Sequence, residues 1–429
     1  MTEKTKTEKE NELYQLITLV AGEFSLQEVL DKLAEAAVKA TGVKACSIRL
    51  LDDGRGELKM RSTYGLSEEY RNKGEVSRND TVIKESFSGK AVVLDDMRVD
   101  QRVKYRDAAI KEGLISQLTV SMRFRGRDIG VLRLYSPEPN RFHKENIKLA
   151  RAVASQCAVA ITNAKLYSEA LEGSRIAEQM RLAGIIQRRM IPKKIPVTKG
   201  FDIAATYIPC FDVGGDLYTF HRLNPDHIAL SIADVIGKGM PAALMMSSFR
   251  GRLFAYVDML KKSIDSDNHT EKDDLEFVKE ITNRLNSVAY EECDDGEFVT
   301  MFHAAIDTVK KTFTYCNCGH EPGIFIRNGK IRSLKKGGLV LGIRPYNDYK
   351  VETIQLQQGD CIILYTDGLA DAVNFDGELW GRERVTEKVK DVTDQSSNQI
   401  IKHILAHRRR FAGLARQADD TSIIAIKAR

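Results

Sequence analysis

Four aspartates could act together because of where they stand in the sequence. Asp234 and Asp367 each end a mostly apolar run that predicts a β-strand. Asp419 comes just before another such run, and Asp216 follows a pair of glycines. Any one of these acids is more simply explained as a helix cap or a turn residue. Four of them in this pattern instead predict a shared site for a divalent cation, which binds carboxylate oxygens and offsets their mutual repulsion.

Two pairs of glycines accompany these acids. Gly214 and Gly215 would let the backbone approach a metal closely. Gly237 and Gly239 predict a turn into a helix over residues 240–247. The N-terminus of that helix would favour an anion near the site, although a glycine turn before a helix is common without any ligand.

The composition is typical of a globular protein with ample core. The chain has 429 residues, which favours two domains, and 43% of them are hydrophobic and 29% charged. No run of about 18 uncharged apolar residues occurs, so we expect no membrane span. Seven scattered cysteines fit a reducing cytosol, and the polar N-terminus lacks the apolar core of a signal peptide. The net charge of +5 is mild and the basic clusters are short, so we expect a cytoplasmic protein that does not bind nucleic acid.

The first third of the chain predicts a mixture of helices and strands. Apolar residues at helical spacing run from Leu13 to Ala40, and Gly42 fits a C-terminal helix cap. Residues 45–51 alternate as a half-buried strand does, and an alanine-rich helix is predicted from Lys144. Further strands are predicted at residues 57–63, 91–94, 116–122 and 130–135.

Three segments of this region carry a resemblance to GAF domains, namely residues 41–52, 61–66 and 130–135. The resemblance implies a sensory module, an antiparallel sheet with helices, that takes a small-molecule or protein input. Nothing in the sequence names that input. Cys46 and Cys157 are best explained as buried core thiols rather than redox sites.

Residues 149–189 predict one long helix whose apolar positions step alternately by four and three, as in a coiled coil. Gly173 and Ser174 interrupt this spacing, and Pro192 ends the helix. Packing on its own domain explains the helix as far as about Ala164. Beyond that residue we expect a linker that pairs two chains as a parallel homodimer, with the glycine as a place where a signal could change the helix register.

A series of motifs runs from about Leu182 to Lys427. They are residues 182–192, 204–209, 212–218, 232–243, 298–301, 318–322, 338–342, 364–369 and 419–422. In this order they resemble a SpoIIE-type (RsbU-like) domain, the bacterial branch of the PPM metal-dependent protein serine/threonine phosphatases. The resemblance implies a PPM-type α-β-β-α sandwich and two divalent cations, Mn²⁺ or Mg²⁺.

The resemblance also implies roles for individual residues. Asp234 would bridge the two cations, with the Val235 carbonyl as a further ligand. Asp367 and Asp419 would bind at the same centre, and Asp216 would hold a metal directly or through water. Two cations would cancel the charge of a phosphate ester and lower the pKa of a water that they share. Asp234 and Asp367 are therefore the predicted catalytic residues.

Other candidates are open at this point. His320 follows two cysteines, and we expect it to be structural, because no second pair of ligands stands at zinc-site spacing. Asp371 and Asp420 could support the metal ligands or be exposed turn residues. The turn at Gly214–Asp216 also resembles that of diguanylate cyclases, but Leu217–Tyr218 replaces the acid and phenylalanine expected next.

Together these inferences give one hypothesis. We expect an α/β and α+β multidomain chain with a GAF-like sensor over residues 1–165, a helical linker over 166–194 and the phosphatase domain over 195–429. By resemblance it would dephosphorylate an anti-sigma-factor antagonist of the STAS type in a bacterial partner-switching pathway. The alternatives are a non-catalytic, ligand-sensing adaptor with a phosphatase-like fold and a small-molecule phosphohydrolase.

Overall fold

The computed structural model describes residues 25–429 apart from 53, 55, 265–270 and 295. The chain divides into two compact units, Met1–Ser174 and Arg175–Arg429. Their boundary falls inside the segment that the sequence predicts as a linker. Among the described helices, none is both long and apolar enough to cross a membrane.

The described part of the N-terminal unit begins with helix α1 (Leu26–Thr41). A capping box formed by Ser25 and Glu28 starts this helix, and Gly42 ends it with a left-handed φ of 64°. The end of the helix agrees with the prediction. The predicted helical stretch 13–24 lies outside the described residues.

A five-stranded antiparallel sheet forms the centre of this unit, with the strand order β2-β1-β5-β4-β3. Its strands are β1 (Ala45–Leu51), β2 (Leu58–Tyr64), β3 (Val92–Leu94), β4 (Ser116–Phe124) and β5 (Arg127–Ser136). Three short helices intervene, α2 (Glu68–Arg71), α3 (Thr81–Phe87) and α4 (Arg106–Lys111). One face of the sheet packs on α1 and on the first part of the long helix α5 (Lys144–Arg188) through apolar side chains such as Ile48 and Leu132.

Helix α5 (Lys144–Arg188) is 45 residues long and begins where the sequence predicts. The backbone stays helical through Gly173 and Ser174, so the glycine that interrupts the apolar spacing does not break the helix. The helix ends at Arg188, before Pro192.

Two sheets form the centre of the C-terminal unit. The first has the order β13-β10-β9-β8-β7, with β14 also paired to β10, and the second has the order β12-β11-β15-β16-β6. The strands of the first sheet are β7 (Leu217–Arg222), β8 (His227–Val235), β9 (Val299–Asp307), β10 (Thr312–Cys318), β13 (Gly337–Gly338) and β14 (Glu352–Gln355). Those of the second are β6 (Phe201–Ile208), β11 (Gly323–Arg327), β12 (Lys330–Leu334), β15 (Cys361–Tyr365) and β16 (Thr421–Ala428).

Helices cover both sheets. Helices α6 (Met240–Ile264) and α7 (Glu271–Glu292) contact the first sheet and share an apolar core that also contains Phe302 of β9 and Leu364 of β15. A second core joins β15 and β16 to α8 (Gly381–Lys390) and α9 (Ser397–Ala412). The layers are therefore helix, sheet, sheet and helix, which confirms the predicted α-β-β-α sandwich.

Candidate metal centre

Strand pairing in the first sheet brings two of the four aspartates together. Asp216 directly precedes β7, and Asp234 is the last residue but one of β8. The strands are antiparallel with Leu217 opposite Ala233, so the start of one lies beside the end of the other. The two carboxylates are close enough for the charge of Asp234 to raise the pKa of Asp216.

The second sheet places the other two acids in the same way. Asp367 follows β15 after one residue, and Asp419 precedes β16 by one residue. These strands are also antiparallel, with Tyr365 opposite Ile423. A Cβ on Gly368 would lie 3.0 Å from the Cβ of Asp419, which shows how closely the two turns approach.

Hydrogen bonds to Asp216 connect the two sheets. The carboxylate of Asp216 is 1% exposed. Its Oδ2 accepts hydrogen bonds from Thr366 Oγ1 at 2.7 Å and from Ser422 Oγ at 2.9 Å. Thr366 directly follows β15, and Ser422 is the second residue of β16. Asp216, which comes from the first sheet, is therefore held where β15 ends and β16 begins.

The turn before Asp216 needs its glycines because other groups fill the space around it. A Cβ on Gly214 would lie 1.7 Å from Asp420 Oδ2, and one on Gly215 would lie 2.8 Å from the Val235 carbonyl oxygen. Real Cβ atoms do not approach other atoms so closely, so a side chain here would push the turn away from the acids. The Val235 carbonyl, a predicted ligand, thus lies against the turn that carries Asp216.

Asp420 and Gln187 hold this turn from two sides. Asp420 is buried and its Oδ1 accepts a hydrogen bond of 2.7 Å from the Cys210 N–H, so it is not an exposed turn residue. Gln187, in the last turn of α5, donates from Nε2 to the Gly214 carbonyl at 2.7 Å and accepts from the Gly214 N–H at 2.9 Å. The end of the long helix is therefore bonded to the loop that positions Asp216.

The acids raise one another's pKa. Burial, and then the charges of Asp367 and Asp419, raise the pKa of Asp234 to about 7. Burial and Asp419 raise that of Asp367 to about 6. Burial and Asp234 raise the pKa of Asp216 well above its ordinary value. Buried carboxylates with such pKa values are characteristic of functional sites, where a bound cation offsets the repulsion.

One lysine reaches this acidic cluster. Lys238 Nζ lies 2.7 Å from Asp419 Oδ2 and donates to the Ala418 carbonyl at 2.6 Å. It stands between Gly237 and Gly239, which have φ values of 97° and 69°, and α6 begins at Met240 as predicted. Lys238 offsets part of the charge of the four acids, whose carboxylates, together with the Val235 carbonyl, offer oxygen ligands. This donor set fits hard divalent cations such as Mg²⁺ and Mn²⁺.

His320 supports the strand behind the acids. Its Nδ1 forms a hydrogen bond of 2.8 Å with Thr300 Oγ1, which lies 3.3 Å from the backbone carbonyl oxygen of Asp234. Burial lowers the pKa of His320 to about 3, so the imidazole is neutral. Asp371, the remaining candidate, is exposed. Its charge raises the pKa of Asp367, and its backbone N–H donates to the Asp367 carbonyl at 2.8 Å.

Sequence reasoning missed four residues of the site: Gln187, Lys238, Thr366 and Ser422. Each is a polar residue inside one of the motifs, and that position was the signal in the sequence that could have pointed to it. Nothing in the spacing tells which acid or backbone group each would contact, because those contacts depend on the packing of one sheet on the other.

The comparisons with known proteins agree with this geometry. A family model, Stage II sporulation protein E (SpoIIE), matches residues 224–429, and a GAF domain model matches residues 24–162. The chain carries a GAF domain followed by a SpoIIE-type domain. Asp216 lies just before the residues matched in the SpoIIE-type domain, whereas Asp234, Asp367 and Asp419 lie within them.

Curated relatives cover mainly the SpoIIE-type domain. The chain is 32% identical over 231 residues to the phosphoserine phosphatase RsbU of Bacillus subtilis, a match that covers 53% of this chain and 64% of RsbU. It is 30% identical over 240 residues to protein IcfG of Synechocystis, covering 51% of this chain and 38% of IcfG. The chain thus spans less than two thirds of the length of either relative.

A solved structure shows the same fold. The SiaA-PP2C domain of Pseudomonas aeruginosa superposes with a TM-score of 0.51 at 18% identity, over 60% of this chain and 99% of that domain. The identity is low, so the likeness shows the fold alone. It agrees with the predicted α-β-β-α sandwich.

Proposed function

We propose that this chain is a metal-dependent protein serine/threonine phosphatase whose substrate is a phosphorylated anti-sigma-factor antagonist of the STAS type. The observation that carries the proposal is the convergence of Asp216, Asp234, Asp367 and Asp419 at one edge of the sandwich. The relationship to RsbU, a phosphoserine phosphatase, supports the reaction class. The choice of substrate follows from the resemblance of the motifs.

The four acids, with the Val235 carbonyl, would hold two divalent cations. When bound, such cations supply a water of lowered pKa as nucleophile and neutralise charge on the phosphate ester. Thr366 and Ser422 fix Asp216 by donating to its carboxylate, which leaves the other oxygen for a ligand. Lys238, on the turn before α6, adds positive charge beside Asp419, where a phosphate would approach.

Regulation would pass through helix α5. Gln187 ties the end of that helix to Gly214, so a shift of the helix would move Asp216 relative to the other acids. Every residue from Lys165 to Gln179 is exposed on this helix, including Leu166, Tyr167 and Leu171. Apolar side chains exposed along one helix support the proposed parallel homodimer. Light scattering that gives the mass of one chain would reject the dimer.

The test is an assay of the full chain against three substrates: a phosphorylated STAS-type antagonist, a phosphoserine peptide and p-nitrophenyl phosphate. We expect hydrolysis that requires Mn²⁺ or Mg²⁺, is abolished by a chelator and is fastest on the antagonist protein. Hydrolysis of the small ester alone would favour the small-molecule phosphohydrolase. Calorimetry that detects no Mn²⁺ binding, together with no turnover, would favour the non-catalytic adaptor.

A further inference from the structure

A groove of about 500 Å³ lies on the C-terminal unit beside the last turns of α9. One part of its lining is apolar and includes Val373, Leu405 and Ala412. The other part is basic and consists of Arg408, Arg409 and Arg416. Among the described residues that line the groove, none carries a carboxylate. The groove therefore combines an apolar surface with a concentration of positive charge.

The fold leaves the charge of these arginines without a counter-charge. None of the three forms an ion pair in the part of the chain that the structure describes. Arg409 and Arg416 are exposed, and the Nε of Arg408 is buried without a hydrogen bond. Basic residues in the last turn of a helix offset the helix dipole, which accounts for Arg409. This reason does not apply to Arg416, which lies beyond the end of α9 and still lines the groove.

Hydrogen bonds connect the groove to the turns of the acidic cluster. Arg408 Nη2 donates to the carbonyl of Gly368, the residue after Asp367, at 3.2 Å. Gln417, which also lines the groove, donates from Nε2 to the Asp419 carbonyl at 2.6 Å. The groove thus adjoins the backbone of both turns. Residues that flank a phosphoserine at the metal centre would reach it, since an extended chain spans about 3.5 Å per residue.

Two large apolar side chains are exposed near the groove. Phe375 is 74% exposed and Leu414 is 89% exposed. Gly413, a lining residue, directly precedes Leu414, and a Cβ on Gly413 would lie 3.7 Å from Phe375 Cε2. Exposed apolar side chains beside a groove are characteristic of surfaces that bind other proteins. An aliphatic side chain packs against an apolar residue of a protein but gains little from a nucleic-acid backbone, so a protein partner is favoured.

We infer that this groove docks an acidic segment of the phosphoprotein substrate, close in sequence to the phosphoserine. Carboxylates of that segment would pair with Arg409 and Arg416, and an apolar residue would pack on the apolar lining. Guanidinium groups suit carboxylates because they donate parallel hydrogen bonds to both oxygens. The inference rests on the proposed function, since it describes how that phosphatase selects its substrate. These contacts would lower KM and leave the chemical step to the metal centre.

Binding is measured first, by fluorescence anisotropy on the full chain with a chelator present, so that no bound cation contributes. The probe is a short unphosphorylated peptide that contains glutamates and leucines. The comparison peptide has glutamine in place of every glutamate. We expect the acidic peptide to bind about fivefold more tightly, with a preference that falls as salt is added. The double variant Arg409→Gln/Arg416→Gln should lose most of this preference.

Phosphoserine forms of the two peptides then connect docking to turnover. The acidic form should have a kcat/KM about fivefold higher, through a lower KM, and the double variant should lose this preference. The preference is a ratio of two substrates measured on one variant, so a general loss of folding or activity cannot imitate it. Arg410→Gln is the matched control, because it makes the same charge change on the same helix outside the groove. It should keep the full preference.

Equal binding of the acidic and neutral peptides, or a preference that the double variant retains, would overturn the inference while both phosphopeptides are still hydrolysed. Tighter binding of a single-stranded oligonucleotide of equal charge, lost in the double variant, would overturn the choice of a protein as occupant. Binding of the acidic peptide without hydrolysis of either phosphopeptide or of p-nitrophenyl phosphate would instead overturn the proposed function, and substrate docking with it.

Discussion

The two units of this chain each bury a cluster of like charges, and the clusters have opposite signs. The SpoIIE-type domain gathers four carboxylates, and the GAF domain gathers Arg49, Lys73 and Arg133. In both, burial beside charges of the same sign favours the neutral form, so the pKa of Asp234 rises and that of Lys73 falls. The comparison teaches that burial beside like charges shifts each pKa towards the neutral form of the group, upwards for an acid and downwards for an amine.

The clusters differ in how the fold supports them. The acids lie at strand ends or in the turns beside them. Glycines, the hydrogen bonds of Gln187 and the buried Asp420 carboxylate, which accepts from the Cys210 N–H, set the positions of these turns. Arg49 and Arg133 lie within strands, where the sheet itself fixes them. Small changes in the turns should therefore displace the acidic cluster, whereas the basic cluster should be less sensitive to changes in the loops.

The largest effect is expected from Asp234→Asn. Metal-dependent hydrolysis should fall by about a thousandfold or more, because an amide cannot supply the charge that holds the cations. The measurement is kcat on a phosphoserine peptide, with Mn²⁺ binding followed by calorimetry. Asp348→Asn, which removes an exposed acid paired with Lys350, is the control and should leave kcat unchanged. An Asp234→Asn variant with normal turnover would reject the role assigned to this residue.

Gly215→Ala should come next, with a loss of kcat of about 100-fold, since a displacement of the order of 1 Å at a catalytic group has that effect. The new Cβ would lie 2.8 Å from the Val235 carbonyl oxygen and would push the turn away. Gly251→Ala is the matched control, because nothing lies within 4 Å of a Cβ at that position in α6. The control should keep full activity and gain up to about 1 kcal/mol in stability. Equal activities of the two variants would contradict the close approach at Gly215.

Gln187→Ala should lower kcat by about 10-fold, because it leaves the buried N–H and carbonyl of Gly214 without partners. Hydrogen exchange should show faster exchange of the Gly214 and Gly215 amides in this variant. Gln179→Ala changes an exposed glutamine of the same helix and should do neither. If Gln187→Ala loosens the turn without affecting turnover, α5 does not control the site through this contact.

The smallest expected effect is the dependence of the stability of the GAF domain on pH, which Lys73 causes. Its folded pKa of about 6 lies below the ordinary 10.5, so between these values the unfolded chain binds more protons than the folded one. Stability of the GAF domain should therefore rise with pH across that window, as measured by hydrogen exchange of the β4 and β5 amides. The groups that face Lys73 are Arg133, Arg49 and Glu112. Lys73→Met should remove the rise, whereas Lys111→Met, an exposed lysine paired with Glu69, should not.

Much of the fold follows from the sequence because it depends on local patterns. Gly42 ends α1, the predicted strands form, and the acids stand at strand ends, where a charge is less costly than inside a buried strand. The contacts of Gln187, Lys238 and Thr366 could not be predicted, since they arise when distant segments pack together. The basic cluster of Arg49, Lys73 and Arg133 could not be predicted from the sequence for a different reason. Arg49 alternates with apolar neighbours as a solvent-facing residue does, and its burial depends on segments that are distant in the sequence.

The place of β16 in the second sheet has a consequence for biosynthesis. This strand lies between β15 and β6. Just after β6, the Cys210 N–H donates a hydrogen bond to the Asp420 carboxylate, which lies 210 positions later in the sequence. A ribosome-bound chain that has not yet released residues 419–428 cannot complete the sheet or the acidic cluster. Since contacts between such distant residues form slowly, newly made chains should pass through an inactive, incompletely folded stage, and cellular chaperones should favour its completion.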